Sequence, residues 1–293
     1  MIETRCEISA SLAQPLEDFF CELVRSPWLI FHEKIGSPHY LMGYFDSEAE
    51  AFDAWEDLRK SFPMLPEKPA TGTLEDRDWK EAYKANLHPW NFGRLHWVPE
   101  WRRAEYAVPA GAAVVYFDAG LAFGTGDHPT TRLCGMRLAE FLDSHVPAEV
   151  SVTDAGCGSG ILAISAAQLG AKNVYGFDRD PEAVDVSIEN RAKNDLPENA
   201  VAFVHEGLET GLANAGERDV VLANIISDVL CIYADNLIAS VKKGGVLALS
   251  GILAIEQENV KNVFEKKARA AWGNVRVDGR VMGEWSDVAL FRE

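Results

Sequence analysis

The stretch Asp154-Ala155-Gly156-Cys157-Gly158-Ser159-Gly160-Ile161-Leu162-Ala163-Ile164 decides the fold. Its first residue closes a short apolar run, residues 150–154, and its last residues open a helical stretch, residues 161–169. Glycines between a strand and a helix let the chain turn tightly and bring backbone N–H groups against a ligand with no side chain in the way. The plain alternative is a tight turn that holds nothing. The strand-then-helix setting favours a ligand, and Gly156, Gly158 and Gly160 are its expected backbone contacts. Asp178 ends the next apolar run, about 20 residues further on, where a carboxylate can accept hydrogen bonds from both hydroxyls of a ribose. Asp180, just before Pro181, is the better cap for the helix that follows, which leaves Asp178 available for that ribose.

Around this stretch the same pattern repeats. Residues 150–154, 173–178, 201–205, 219–224 and 246–250 are apolar runs fit for buried parallel strands, and helical stretches lie at 161–169, 181–194 and 227–242. Such alternation predicts a doubly wound α/β sheet. Residues 274–281 and 285–291 are separated only by Met282-Gly283-Glu284, too short for a helical crossover, so they are expected to pair antiparallel. The whole predicts a mostly parallel, seven-stranded, Rossmann-like sheet with a terminal antiparallel hairpin. Class I methyltransferases carry that hairpin, and ordinary nicotinamide-binding Rossmann domains usually lack it. The motif alone is ambiguous, because Gly158-Ser159-Gly160-Ile161-Leu162-Ala163 also satisfies the looser dinucleotide pattern.

The N-terminal residues read differently. Strands are expected at 4–9, 28–32, 40–45 and 70–74, and a helix at 15–25 with Leu16, Phe19, Phe20, Leu23 and Val24 on one face. A hairpin turns at Gly36-Ser37-Pro38, and Ser47 caps a second helix bearing Ala51, Phe52, Trp55 and Leu58. The order βαββαβ is a small α+β, ferredoxin-like motif. The expected domains are therefore 1–75, a linker over 76–104 rich in tryptophan (Trp79, Trp90, Trp97, Trp101), and a catalytic domain over 105–293.

Composition narrows the class further. Apolar residues make up 47% and charged residues 25%, an ordinary globular balance. The chain opens Met1-Ile2-Glu3 without the basic region of a signal peptide and has no apolar run of membrane-spanning length, so a soluble cytoplasmic protein is expected. Its five cysteines form no Cys-x-x-Cys pair, which argues against a disulfide framework and against a metal site. The net charge of −17 opposes direct binding of naked nucleic acid and favours a basic protein partner, although acidity also serves solubility. A monomer is expected.

Several side chains could carry chemistry. Asn224 ends the fourth strand beside the topological switch point, where its amide could orient an amine or the methionyl part of a cofactor; the alternative is a cap or turn. The segment 121–131 has a glycine loop and then Thr130 and Thr131 at a helix start. His128 could serve as a general base, though beside Pro129 it fits a structural role. Cys157 has no histidine nearby in sequence and reads as a small residue filling the turn.

These residues resemble one family. Gly120 to Gly126 with His128-Pro129-Thr130-Thr131, Asp154 to Ile164, Ala223-Asn224-Ile225, Ser250 to Leu253, residues 75–79 and Glu284-Trp285 together look like the ribosomal protein L11 methyltransferase family, the PrmA type, from about residue 75 onward. The resemblance implies S-adenosylmethionine as cofactor, contacts at Thr131, Gly156, Asp178 and Asn224, and Phe123, Gly158 and Gly160 as neighbours. It implies methylation of lysine side-chain and N-terminal amines of a basic large-subunit ribosomal protein, docked by the N-terminal domain. The first 80 residues carry 8 basic against 16 acidic residues, in keeping with such a partner. Asp127 stands where the family has threonine and Ser227 where it has alanine. A lysine methyltransferase of another protein, a nicotinamide oxidoreductase and a non-catalytic binding module are the competing readings; the hairpin and Asn224 speak against the second, the intact glycines and Asp178 against the third.

Overall fold

Ile2, Thr4, Cys6 and Ile8 are buried in alternation, so β1 (Ile2–Ile8) presents one face to a core, as a half-covered strand must. The computed structural model describes residues 2–21, 27–31, 38–73, 87–118 and 126–293, and the chain divides into two units, Met1–Asn86 and Leu87–Glu293. In the first unit β1 is followed by α1 (Ala10–Cys21), β2 (Trp28–Phe31), β3 (His39–Phe45), α2 (Glu48–Ser61) and β4 (Ala70–Thr73). The four strands form an antiparallel sheet of order β2-β3-β1-β4. Leu16, Leu41, Trp55 and Leu58 are buried together in its core.

Helix α1 begins five residues before the expected start at Pro15, which lies inside it. Ala13, Leu16 and Phe20 recur at helical spacing and are buried, and that apolar stripe outweighs the one backbone hydrogen bond a proline removes. Residues 22–26, including Leu23 and Val24, and the turn residues Gly36 and Ser37 lie outside the described residues. Ser47 caps α2, its hydroxyl accepting the Glu50 N–H at 3.2 Å.

The second unit opens with a small sheet of β5 (Trp90–Phe92), β6 (Leu95–Pro99) and β7 (Ala113–Phe117). This departs from the expected linker over 76–104, since residues from Leu87 on belong to the second unit. Leu95, Trp97 and Val98 are almost fully buried, and the Trp97 indole N–H donates to Ser165 Oγ at 2.8 Å. Burial on both faces removes the polar alternation that would announce a strand.

Next come α3 (Pro129–Asp143), β8 (Val152–Ala155), α4 (Ile161–Gln168), β9 (Val174–Asp178), α5 (Pro181–Lys193), β10 (Val201–His205), α6 (Leu208–Ala215) and β11 (Arg218–Asn224). They are followed by α7 (Ser227–Ile232), α8 (Ala234–Ala239), β12 (Val241–Leu253), α9 (Gln257–Trp272), β13 (Val275–Met282) and β14 (Trp285–Arg292). Strands β8 to β14 form a seven-stranded sheet of order β10-β9-β8-β11-β12-β14-β13, in which β14 alone runs antiparallel to its neighbours. Apolar side chains cover both faces. Val220 and Leu222 pack in one core with Leu138 and Ile164, while Val221 and Ala223 pack in the other with Leu237 and Phe264.

Two expected bounds change. The single helix over 227–242 is two helices that meet at Tyr233, and residues from Val241 on are drawn into β12, where Val241 pairs with Arg218. The strand expected at 246–250 accordingly spans Val241–Leu253. Among the described residues, no helix is long and apolar enough to cross a membrane.

Candidate active site

The glycine turn leaves β8 with Gly156, Gly158 and Gly160 at φ of 72°, 53° and 77°, in the left-handed region that side chains disfavour. The N–H groups of Gly156 and Cys157 both donate to the Phe177 carbonyl, at 2.9 and 3.0 Å, which locks the turn onto β9. Gly158 N–H donates to Asp178 Oδ2 at 2.9 Å, and Asp180 N–H donates to Oδ1 at 3.0 Å. Asp178 is therefore held by two backbone donors and is not the free carboxylate expected from sequence. Each oxygen keeps acceptor capacity for a further donor. Asp180 caps α5 as expected, accepting the Glu182 N–H at 3.0 Å.

The turn and Asp178 open on a cavity of 590 Å³ at the carboxyl ends of the strands, the place where open α/β sheets bind ligands. Gly156, Gly158, Asp178, Arg179, Glu206, Leu208, Asn224, Ile225, Ile226, His128, Thr130, Tyr233, Gly251 and Trp285 are among the residues that line it. A Cβ on Gly156 would meet Ile225 at 3.1 Å, so only bare backbone leaves this floor open.

Asn224 donates through Nδ2 to Thr131 Oγ1 at 3.3 Å, and its Oδ1 is buried with no partner among the described residues. A buried unpaired carbonyl costs free energy until something donates to it, which makes Asn224 a candidate ligand contact. Thr131 itself is buried behind the wall, and Thr130 is the threonine that lines the cavity. Gly160 also stands back from the cavity, where a Cβ would meet Phe203 and Ser187 at 2.8 Å; it serves packing between α4 and α5. Phe123 lies outside the described residues.

Electrostatics sort the remaining candidates. Burial pushes the Cys157 thiol well up, so it is not a thiolate nucleophile. His128 caps α3, and its Nδ1 lies 2.7 Å from Thr130 Oγ1. Burial lowers its pKa, against a smaller opposing pull from Asp127, so the ring is neutral at physiological pH. Asp127 forms an ion pair with Arg132, which also donates to the Gly126 carbonyl at 3.2 Å. Asp154, at the foot of the turn, is pushed up to about 7, mainly by burial, with the Asp178 charge adding to it and the Ala163 N–H opposing. Its Oδ2 accepts that N–H at 3.0 Å, and its Oδ1 is buried and unpaired among the described residues.

Sequence reasoning did not find Glu206, Leu208, Ile226 or Tyr233 as cavity residues. They come from strand-end loops, the first residue of α6 and the break between α7 and α8, where residue types carry no periodicity. The donor set nonetheless fits one kind of cofactor. Bare backbone at Gly156, a carboxylate with spare lone pairs at Asp178 and an orphaned amide oxygen at Asn224 suit a ligand that joins an adenosine to an amino acid.

A seven-stranded sheet with one antiparallel strand, carrying a glycine turn and an acid at its strand ends, defines a class I S-adenosylmethionine-dependent methyltransferase. The family model for ribosomal protein L11 methyltransferase (PrmA) matches residues 26–289. A ribosomal protein L11 methyltransferase from Photobacterium profundum is 39% identical over 227 residues, 76% of this chain and 73% of that protein. Another, from Shewanella baltica, is 40% identical over 225 residues, 73% of each chain. A crystal structure of ribosomal protein L11 methylase from Lactobacillus delbrueckii subsp. bulgaricus matches with a TM-score of 0.59 at 28% identity, covering 71% of this chain and 100% of that one. The chain belongs to the ribosomal protein L11 methyltransferase family, and its cofactor is S-adenosylmethionine.

Proposed function

We propose that the protein transfers methyl groups from S-adenosylmethionine to lysine side-chain and N-terminal amines of the large-subunit ribosomal protein L11. The observation that carries this reading is the juxtaposition of Gly156, Asp178 and Asn224, whose Oδ1 is buried and unpaired among the described residues, around one strand-end cavity. When bound, S-adenosylmethionine supplies an electrophilic methyl group on a sulfonium. Gly156 and Gly158 lie under its methionine end, Asp178 takes the ribose hydroxyls, Asn224 orients the reacting end, and Thr131 holds the Asn224 amide in place. Gly160 supports the turn from behind, and Phe123 is assigned to the site from the family resemblance alone.

The apolar residues Ile225 and Val229 line the cavity, and an apolar lining disfavours a charged ammonium and helps an arriving lysine lose its proton. Alignment of the amine is then the main catalytic task, and no dedicated base is required. The first unit is read as a ferredoxin-like domain that docks the substrate protein; its strand order β2-β3-β1-β4 and two helices support that reading. We place the protein in the cytoplasm as a monomer that binds no nucleic acid directly, in keeping with its charge of −17.

Incubation of the purified chain with labelled cofactor and unmodified L11, followed by peptide mass spectrometry, tests the proposal. Label on lysine and N-terminal amines is expected. Unlabelled L11 beside a labelled protein in a parallel incubation with cell lysate would transfer the same chemistry to a different substrate.

A further inference from the structure

The glycine turn that floors the cavity is held from behind by a residue outside the cavity lining. A Cβ on Gly160 would stand 2.8 Å from the Ser187 Cβ, so α5 packs directly against the turn. Asn190 lies three residues beyond Ser187 on the same face of α5 and has no exposed surface. Its Nδ2 donates to the Ser159 carbonyl at 2.9 Å, and its Oδ1 accepts the N–H of Asp118, which follows β7, at 3.0 Å. Lys193 Nζ also donates to that Oδ1, at 3.2 Å. One buried amide thus ties the turn both to α5 and to the end of β7.

We propose that Asn190 is a positioning residue for the cofactor, which holds the Ser159–Gly160 peptide in the orientation that keeps the turn open as a floor. The inference rests on the assignment of the cofactor to the strand-end cavity. Gly158 and Gly160 both have positive φ, and glycine's freedom would let the peptide between them turn unless it were held. It is held at both ends, its carbonyl by Asn190 and its N–H by the Cys157 carbonyl at 2.8 Å. The neighbouring Gly158 N–H orients Asp178, so a shift of this peptide reaches the carboxylate assigned to the ribose. The two ends of the Asn190 amide meet opposite kinds of partner, a carbonyl and an N–H, which only a side chain with both a donor and an acceptor can satisfy. Asn194, one turn further along α5, gives an internal comparison. It accepts the Tyr116 N–H at 2.7 Å and donates to the Tyr116 carbonyl at 2.6 Å and to the Asn190 carbonyl at 2.7 Å, so its side-chain bonds go to β7 and to α5 itself.

The test compares Asn190→Asp, Asn190→Ala and Asn194→Ala in the full chain. Asn190→Asp keeps the acceptor for the Asp118 N–H and loses the donor to Ser159, so it separates the turn from β7. Affinity is read by calorimetry with S-adenosylhomocysteine, which has no sulfonium for the new carboxylate to attract; kinetics are read by methyl transfer to L11 and folding by thermal melts. Both Asn190 variants are expected to bind about tenfold more weakly. Their KM for S-adenosylmethionine should rise, with kcat at saturating cofactor and KM for L11 unchanged. Asn194→Ala is expected to lower Tm and to keep the wild-type affinity. Wild-type affinity in Asn190→Asp would overturn the inference, as would an affinity of Asn190→Ala no lower than that of Asn194→Ala; if the aspartate variant does not fold, the alanine pair decides. A wild-type chain that binds neither S-adenosylmethionine nor S-adenosylhomocysteine would instead overturn the parent reading, and this inference with it.

Discussion

Asp154 shows how a single residue under the glycine turn couples the fold to pH. Its carboxyl has an ordinary value of 3.8 and is pushed up to about 7 by burial, so between these values the folded chain holds a proton that the unfolded chain has released. Stability therefore falls as pH rises through that window, and the full penalty stands above it. Asp154→Asn keeps an acceptor for the Ala163 N–H while removing the charge. It is expected to raise Tm, with a gain that grows from near zero at acid pH to at most roughly 4 kcal/mol above neutrality. Melts across the pH range check this; a difference that does not change with pH would contradict it. At this scale the sequence was most informative where chemistry is local. Asp180 as a helix cap and Asn224 at a strand end could both be read from their neighbours. That Asp178 would be held by two backbone N–H groups could not, because the path of the turn sets those contacts.

Among elements, the terminal hairpin was legible because Met282-Gly283-Glu284 permits no crossover. What anchors it was not. Arg137 of α3 reaches β14, donating to both Asp287 carboxylate oxygens at 2.7 and 2.9 Å, and to Asp278 of β13 at 2.6 Å. Arg137 and Asp287 have side-chain exposures of 3% and 1%, so removing one partner strands a charge in the core. Arg137→Ala is expected to cost about 3–5 kcal/mol in denaturant unfolding. A loss below roughly 1 kcal/mol, the range of an exposed pair, would show that the hairpin does not depend on this network. The same paired carboxylates on separate strands are invisible in sequence, 141 and 150 residues from the arginine. Strands β5 and β6 escaped reading for another reason, namely the short length of the first and the burial of the second on both faces. Helix α9 was not among the expected helices either, although Val260, Phe264 and Ala268 recur at the helical spacing that marked α2.

For the whole molecule, the two units have separate cores, and the proposed cofactor contacts belong to the second. A chain lacking residues 1–86 is expected to bind S-adenosylmethionine with nearly unchanged affinity and to lose methylation of intact L11. Retained protein methylation would contradict a docking role for the first unit. The two-part organisation was readable as a change from antiparallel to parallel strand patterning, but the boundary was not, because the tryptophan-rich segment from Leu87 on folds into the second unit.

The most direct measurement is calorimetric titration of the full chain with S-adenosylmethionine, beside an Asp178→Ala variant of verified fold. Saturable one-site binding that weakens by roughly tenfold or more when the carboxylate is removed is the expected result. Absence of binding to the wild type, or equal affinity in the two proteins, would contradict the assignment of the strand-end cavity.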